Sequence, residues 1–270
     1  MEKDALRIQL LGGFSVSTAA QGVDEEQWRL RKAKSLVKLL CLAPDRKLHA
    51  EQVSEVLWPE LAPDAARNNL HQAAHAARRA FDLRGADGSR CLQLSEGLLL
   101  LCPEDPVWID SVAFEQATAS AREQRRAAAY VAALERYTGE LLPEDRFEEW
   151  TSVSRETLRD LRLALGIELA ELQAAAGDEG AAIETLHAAL LADPLHEPAH
   201  RALMRLYVRD GRRQEALAQF QQLKRGLKRE FEDEPDDETR RLYQEILTRS
   251  LEDREALART VLAAASRVRK

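Results

Sequence analysis

The sequence predicts a mostly α-helical protein in two parts: a small N-terminal winged helix-turn-helix, then an all-α domain of tetratricopeptide-like repeats. Three observations predict it. Strand-like apolar runs and hairpin turns occur only ahead of Pro106, where they flank three helical stretches. Aromatic residues make up only 5% of the chain, and runs of Ala, Leu, Arg and Glu fill the second half, a composition that favours helix. Two stretches also align without gaps at a period of 34 residues, the tetratricopeptide spacing.

In chain order, Leu6 to Leu11 reads as a short strand ending at Gly12-Gly13, with Phe14 to Ser17 returning. Trp28 to Leu42 reads as helix one, with Leu36, Val37, Leu39 and Leu40 as its apolar stripe and Arg29, Arg31, Lys32, Lys34 and Lys38 on its first turns and other side. Pro44 stops it. A second helix is expected over Ala50 to Leu57, ended by Trp58-Pro59. Pro63-Asp64 opens a third, running from Ala65 to about Phe81. Gly85 to Arg90 reads as a loop, and Cys91 to Cys102 as a hairpin around Glu96-Gly97.

From Asp110 onward the pattern is helical throughout, and the prolines Pro103 and Pro106 mark the expected seam. The domains are therefore placed at 1–105, 106–250 and 251–270, and residues 1–102 are expected to fold alone. The repeat lays Gly177 on Gly211, Ala182 on Ala216, Ile183 on Leu217 and Leu186 on Phe220. Asp236 to about Ser266 is expected to form one long capping helix.

Charge is unevenly divided. Residues 1–102 hold 14 basic and 13 acidic side chains, a net of +1, while the whole chain stands at −7. The average alone argues against nucleic acid, but DNA responds to a local basic face. Helix three offers one. At 100° per residue Leu70, Ala73, Ala74, Ala77 and Phe81 share one arc, with Asn68, Gln72, His75 and Arg79 opposite and His71 and Arg78 on the flank. Asn and Gln pair with adenine edges, Arg with guanine or phosphate, and His donates to either. Any surface helix carries some such residues. From Ala65 to Phe81, however, there is no Asp or Glu. The expected base readers are thus Asn68, His71, Gln72, His75 and Arg79, and the expected phosphate contacts are Arg31, Lys32, Lys34 and Arg78. The basic cluster at the start of helix one sits at the wrong end for a helix dipole, a cost that nearby phosphates would explain.

Several motifs carry a resemblance. Arg31-Lys32-Ala33-Lys34-Ser35-Leu36 with Leu39-Leu40, Leu57-Trp58-Pro59, and Ala66-Arg67-Asn68-Asn69-Leu70-His71-Gln72-Ala73 resemble the actinobacterial antibiotic-pathway regulatory proteins, the SARP family. Trp108-Ile109-Asp110 with Phe114-Glu115, Gly139-Glu140-Leu141-Leu142-Pro143, Trp150, Glu234-Pro235, Glu238-Thr239-Arg240 and Leu242-Tyr243 are similar to the bacterial transcriptional activation domain of that family. One departure is Glu230 to Glu234, where the family usually places a turn glycine. The resemblance implies a transcription activator that binds direct-repeat promoter DNA, as a homodimer where the repeat requires it, and helps recruit RNA polymerase. Members also occur fused to ATPase or sensor domains, but the chain has no GxxxxGK[ST] loop.

Other chemistries fare worse. His71/His75 and His196/His200 have i, i+4 metal-ligand spacing, but the first pair reads His-Gln-Ala-Ala-His without a catalytic glutamate, and neither has an evident third ligand. No nucleophile–base arrangement stands out, so neither catalysis, metal nor cofactor is expected. Cys41, Cys91 and Cys102 are too scattered for a zinc site or a disulfide framework. With no signal-like N-terminus and no run of about 18 apolar residues, a cytoplasmic protein off the membrane is expected. The rival reading is a repeat-type protein-interaction scaffold, or the regulatory N-terminal part of a larger signalling ATPase.

Overall fold

The computed structural model describes residues 6–17, 28, 30–82 and 87–248. Leu6–Gln9 (β1) alternates buried and exposed side chains, the period-two pattern of a half-buried strand. Gly12 and Gly13, both with positive φ, turn the chain back into Ser15–Ser17 (β2), antiparallel to β1.

Arg31–Leu42 (α1) follows, then Lys47–His49 (β3), Ala50–Leu57 (α2) and Pro63–Asp82 (α3). Gly88–Cys91 (α4) leads into the hairpin Leu92–Ser95 (β4) and Leu98–Leu101 (β5), which with β3 forms a sheet of order β3-β5-β4. This is the winged helix-turn-helix. Glu96 and Gly97 at the hairpin turn have φ of 51° and 79°, the paired positive values of a type I′ turn. Residues 88–91, expected as the end of a loop and the first residue of the hairpin, are a single helical turn capped by the Asp87 carboxylate on the Ser89 and Arg90 N–H groups. Gly88 is required there, since a Cβ would lie 2.1 Å from the Arg78 carbonyl oxygen.

Helix one begins at Arg31 and not at Trp28. Trp28 instead packs edge-on to Phe81 at 6.0 Å and lies 5.4 Å from Phe14. Arg29 and residues 83–86 lie outside the described residues. Lys38, expected on the polar side of this helix, is buried. Its ammonium bonds Glu144 at 2.7 Å and also Asp145, and sits 4.9 Å from the Phe14 ring centroid. Partial burial of Glu144 works against its charge, but the Lys38 hydrogen bond prevails and holds its carboxyl below the usual range.

The expected seam at Pro103–Pro106 is not where the compact units divide. Val107–Ile109 (β6), unforeseen as a strand, runs parallel to β1 with Ile8 opposite Ile109, completing a sheet of order β2-β1-β6. Asp110, which opens Asp110–Gln124 (α5), accepts from the Leu10 N–H at 2.8 Å and the Leu11 N–H at 2.9 Å. Burial pushes its carboxyl pKa up against these donors. After Ala127–Leu134 (α6), the Gly139–Pro143 run pairs with the end of β1. Leu142 N–H donates to Leu10 O, Gly12 N–H to Glu140 O, and Thr138 Oγ1 to Leu11 O, all at 2.9 Å. A Cβ on Gly139 would stand 2.7 Å from Gly12 Cα, so the two backbones can cross only at glycine. One unit therefore comprises Met1–Gln124 and Ala128–Arg162, and the other Arg125–Ala127 and Leu163–Lys270, the division falling within Glu149–Ala175 (α7).

In the second unit Glu179–Ala192 (α8), Glu197–Arg209 (α9) and Arg213–Phe231 (α10) succeed α7, and residues 237–248 form a further helix (α11). The repeat is visible atom by atom. Gly177 and Gly211 both have positive φ, at 84° and 72°, Ala182 and Ala216 are fully buried, and Leu186 and Phe220 enter one core with Leu203, Met204 and Tyr207. Glu232, within the Glu230–Glu234 run, ends α10 in the left-handed region at φ 57°, a conformation that costs a side chain roughly 1 kcal/mol and that a glycine would adopt freely. The long helix expected to Ser266 is seen over 237–248; its remainder and the 251–270 extension lie outside the described residues.

Candidate nucleic-acid interface

α2 and α3 form the helix-turn-helix, joined by residues 58–62. Ala66, Leu70, Ala73, Ala74, Ala77, Ala80 and Phe81 bury one face of α3, so its other face is fixed outward. Asn68, His71, Gln72, His75 and Arg79 are all exposed on it. Its only carboxylates, Asp64 and Asp82, are at its two ends. Arg67 belongs to the same surface, one turn before His71. Sequence reasoning passed over it as part of a motif, although its i, i+4, i+8 alignment with His71 and His75 was a usable signal.

Arg78 has other work. Its Nε donates to the Leu92 carbonyl oxygen at 2.8 Å, tying α3 to the first strand of the wing, and it is only half-exposed. Beside the phosphate contact expected of it, Arg78 thus has a structural role through Nε. The wing itself brings no cation forward. Its turn is Ser95-Glu96-Gly97, and Arg90 at its base is paired with Asp105 at 2.9 Å.

At the start of α1 no acidic side chain occupies the first turn and no side chain caps Leu30, so the helix begins electropositive. Arg31 is exposed, with its guanidinium 3.1 Å from Glu148, an exposed pair of the kind worth about 0–1 kcal/mol. Lys32 and Lys34 are half-exposed. Of the paired histidines, His200 has both ring nitrogens engaged. Gln219 Nε2 donates to Nδ1 at 2.7 Å, which leaves Nε2 to donate to the Pro194 carbonyl at 2.9 Å, so no lone pair remains for a metal.

The sequence profile of the bacterial transcriptional activator domain matches residues 109–247, more than half of the chain. The chain belongs to that family. The activator-domain motifs are structural within it. Arg155 donates to the carbonyls of Leu141, Leu142, Asp145 and Arg146, and Arg201 joins Asp236 at 2.7 Å, Glu238 at 3.1 Å and the Thr239 hydroxyl at 2.9 Å. The fold is similar to that of EmbR from Mycobacterium tuberculosis, solved in complex with a low-affinity phosphopeptide. The TM-score is 0.73 at 22% identity, covering 96% of this chain and 71% of that one. No curated protein matches the sequence. Membership makes this activator-domain protein a transcriptional regulator of the activator type, and among the described residues no helix is long and apolar enough to cross a membrane.

Proposed function

We propose that the protein activates transcription by binding promoter DNA in a sequence-specific way, with α3 in the major groove. The observation that carries this reading is the outward face of α3, where polar and basic side chains stand without a carboxylate from Ala65 to Phe81. Asn68 and Gln72, nearest the N-terminal end, read adenine edges; His71, His75 and Arg79 add contacts along the groove, with Arg67 beside them. Lys32 and Lys34 contact phosphates, and Arg31 does so by exchanging Glu148 for a phosphate. The activator-domain region then helps recruit RNA polymerase, and direct-repeat operators are occupied by two copies of the chain.

The test is selection of bound duplexes from a random pool, followed by single Asn68→Ala, Gln72→Ala and Arg79→Ala variants. None removes core packing, so melting temperatures stay at the parent value. Loss of a good base contact costs about 1–3 kcal/mol, roughly a 5- to 150-fold drop on the selected duplex and little change on a scrambled one. Lys32→Gln weakens both duplexes alike and lowers the salt slope by about 0.9. Parent-like binding by all three α3 variants would remove α3 as the reader and favour a protein-interaction scaffold.

A further inference from the structure

A cleft of about 840 Å³ opens between α2, the N-terminal half of α3 and the turn of the β4–β5 hairpin. Trp58, Leu61, Leu70 and Leu94 supply its apolar walls. Glu51, Glu55 and Glu96 also line it, each exposed, and among the described residues none of these carboxylates has a cationic partner. Arg67 is the one Lys or Arg in the lining, which also holds His49 and His71, so three carboxylates face one guanidinium. The balance of the lining is acidic, which favours a cationic occupant over an anionic one.

We propose that the cleft binds a small amphipathic organic cation, an ammonium carried on an apolar or aromatic body. Three features converge on that class. The volume lies within the roughly 300–1,000 Å³ of small-molecule sites, and the walls combine apolar side chains with a few charged groups, as such sites do. Three carboxylates against one guanidinium select a positive charge, and their pull strengthens as the occupant displaces water. Trp58, half-buried in the lining, supplies an indole, the best of the aromatic partners for a cation. Arg67 and His71 border the cleft as well as the outward face of α3, so an occupant sits against two side chains of that face.

The experiment uses the full chain with ¹⁵N-labelled tryptophan and three probes of one shape: 4-phenylbutylammonium, 4-phenylbutanol and 4-phenylbutanoate. The Trp58 indole resonance is assigned by its loss in Trp58→Phe, and the signals of Trp28, Trp108 and Trp150 report that the fold is intact. The ammonium moves the Trp58 signal saturably with a dissociation constant of roughly millimolar order, as expected for so small a ligand. The alcohol binds about five-fold or more weakly, and the carboxylate not at all. Combining Glu51→Gln, Glu55→Gln and Glu96→Gln brings the ammonium down to the alcohol's affinity. Equal response to all three probes, or undiminished ammonium binding by the triple variant, overturns the proposal. So does a Lys-rich helical peptide that moves Trp58 when the ammonium does not, which would make the cleft a protein-docking surface.

Discussion

Lys38 and Asp145 provide the sharpest test of how the winged helix is held to the segment that follows it. The two side chains are only 4% and 7% exposed, and they join α1 to the turn at Pro143–Asp145. Removing one member of a buried pair leaves the other charge uncompensated, at a cost of about 3–5 kcal/mol. In Asp145→Ala, Glu144 remains 2.7 Å from the ammonium and is itself substantially exposed, which places the loss at the lower end, about 3 kcal/mol. For a unit of this size that corresponds to a fall in melting temperature of about 6–12 °C. Replacing both partners by apolar groups, Lys38→Met with Asp145→Leu, removes the stranded charge and recovers most of the loss. Tryptophan fluorescence during urea unfolding is the assay of choice, because all four tryptophans, at 28, 58, 108 and 150, lie in the first compact unit. If Asp145→Ala unfolds within about 1 kcal/mol of the parent, or no more easily than the double variant, the pair is not the tie described above.

The second unit carries a pH prediction and the first a fragment prediction. Burial, the largest influence, drives the His200 pKa below its ordinary 6.5, so the unfolded chain binds the extra proton; stability is full above about pH 7 and falls as the pH drops through 6.5, by up to about 1.4 kcal/mol per pH unit. Melting of the parent and His200→Gln between pH 7.5 and 5.5 checks this, and parallel slopes would count against it. Residues 1–102 lack β6, Asp110, Leu142 and Asp145, so this fragment gives a collapsed amide spectrum while residues 1–162 give a dispersed one; a well-dispersed spectrum from the shorter fragment would return the boundary to Pro103.

What could be read from the sequence was whatever local chemistry decides. α2 runs from Ala50 to Leu57 as expected because Trp58-Pro59 forbids its continuation, and the wing turns at Glu96-Gly97 because Gly97 takes its positive φ without steric cost. The repeat was legible because each copy meets the same neighbours, so Gly177 and Gly211 face one steric demand twice. The outward face of α3 followed from periodicity alone. What escaped notice depends on partners far along the chain. β6 is three residues between Pro106 and the helix that Asp110 opens, and only β1 makes it a strand. Lys38 resembles any surface lysine until Asp145, 107 residues later, is brought beside it. Arg78 carries the same charge as Arg79, yet the Leu92 carbonyl claims one of them and leaves the other outward.

The closure of β1 also sets an order of events during synthesis. The carboxylate that caps Leu10 and Leu11 is 100 and 99 residues downstream, and the carbonyl of Leu10 waits for an N–H that emerges later still, at Leu142. At about 5–20 residues per second, a ribosome needs roughly 5–20 seconds to make the first hundred of those residues. Throughout that interval the first strand is in existence with one edge unpaired, while the wing strands Leu92–Ser95 and Leu98–Leu101, separated by two residues, pair as soon as they clear the exit tunnel. The strand Leu6–Gln9 is thus made well before the partners of its far edge and is among the last elements to be secured.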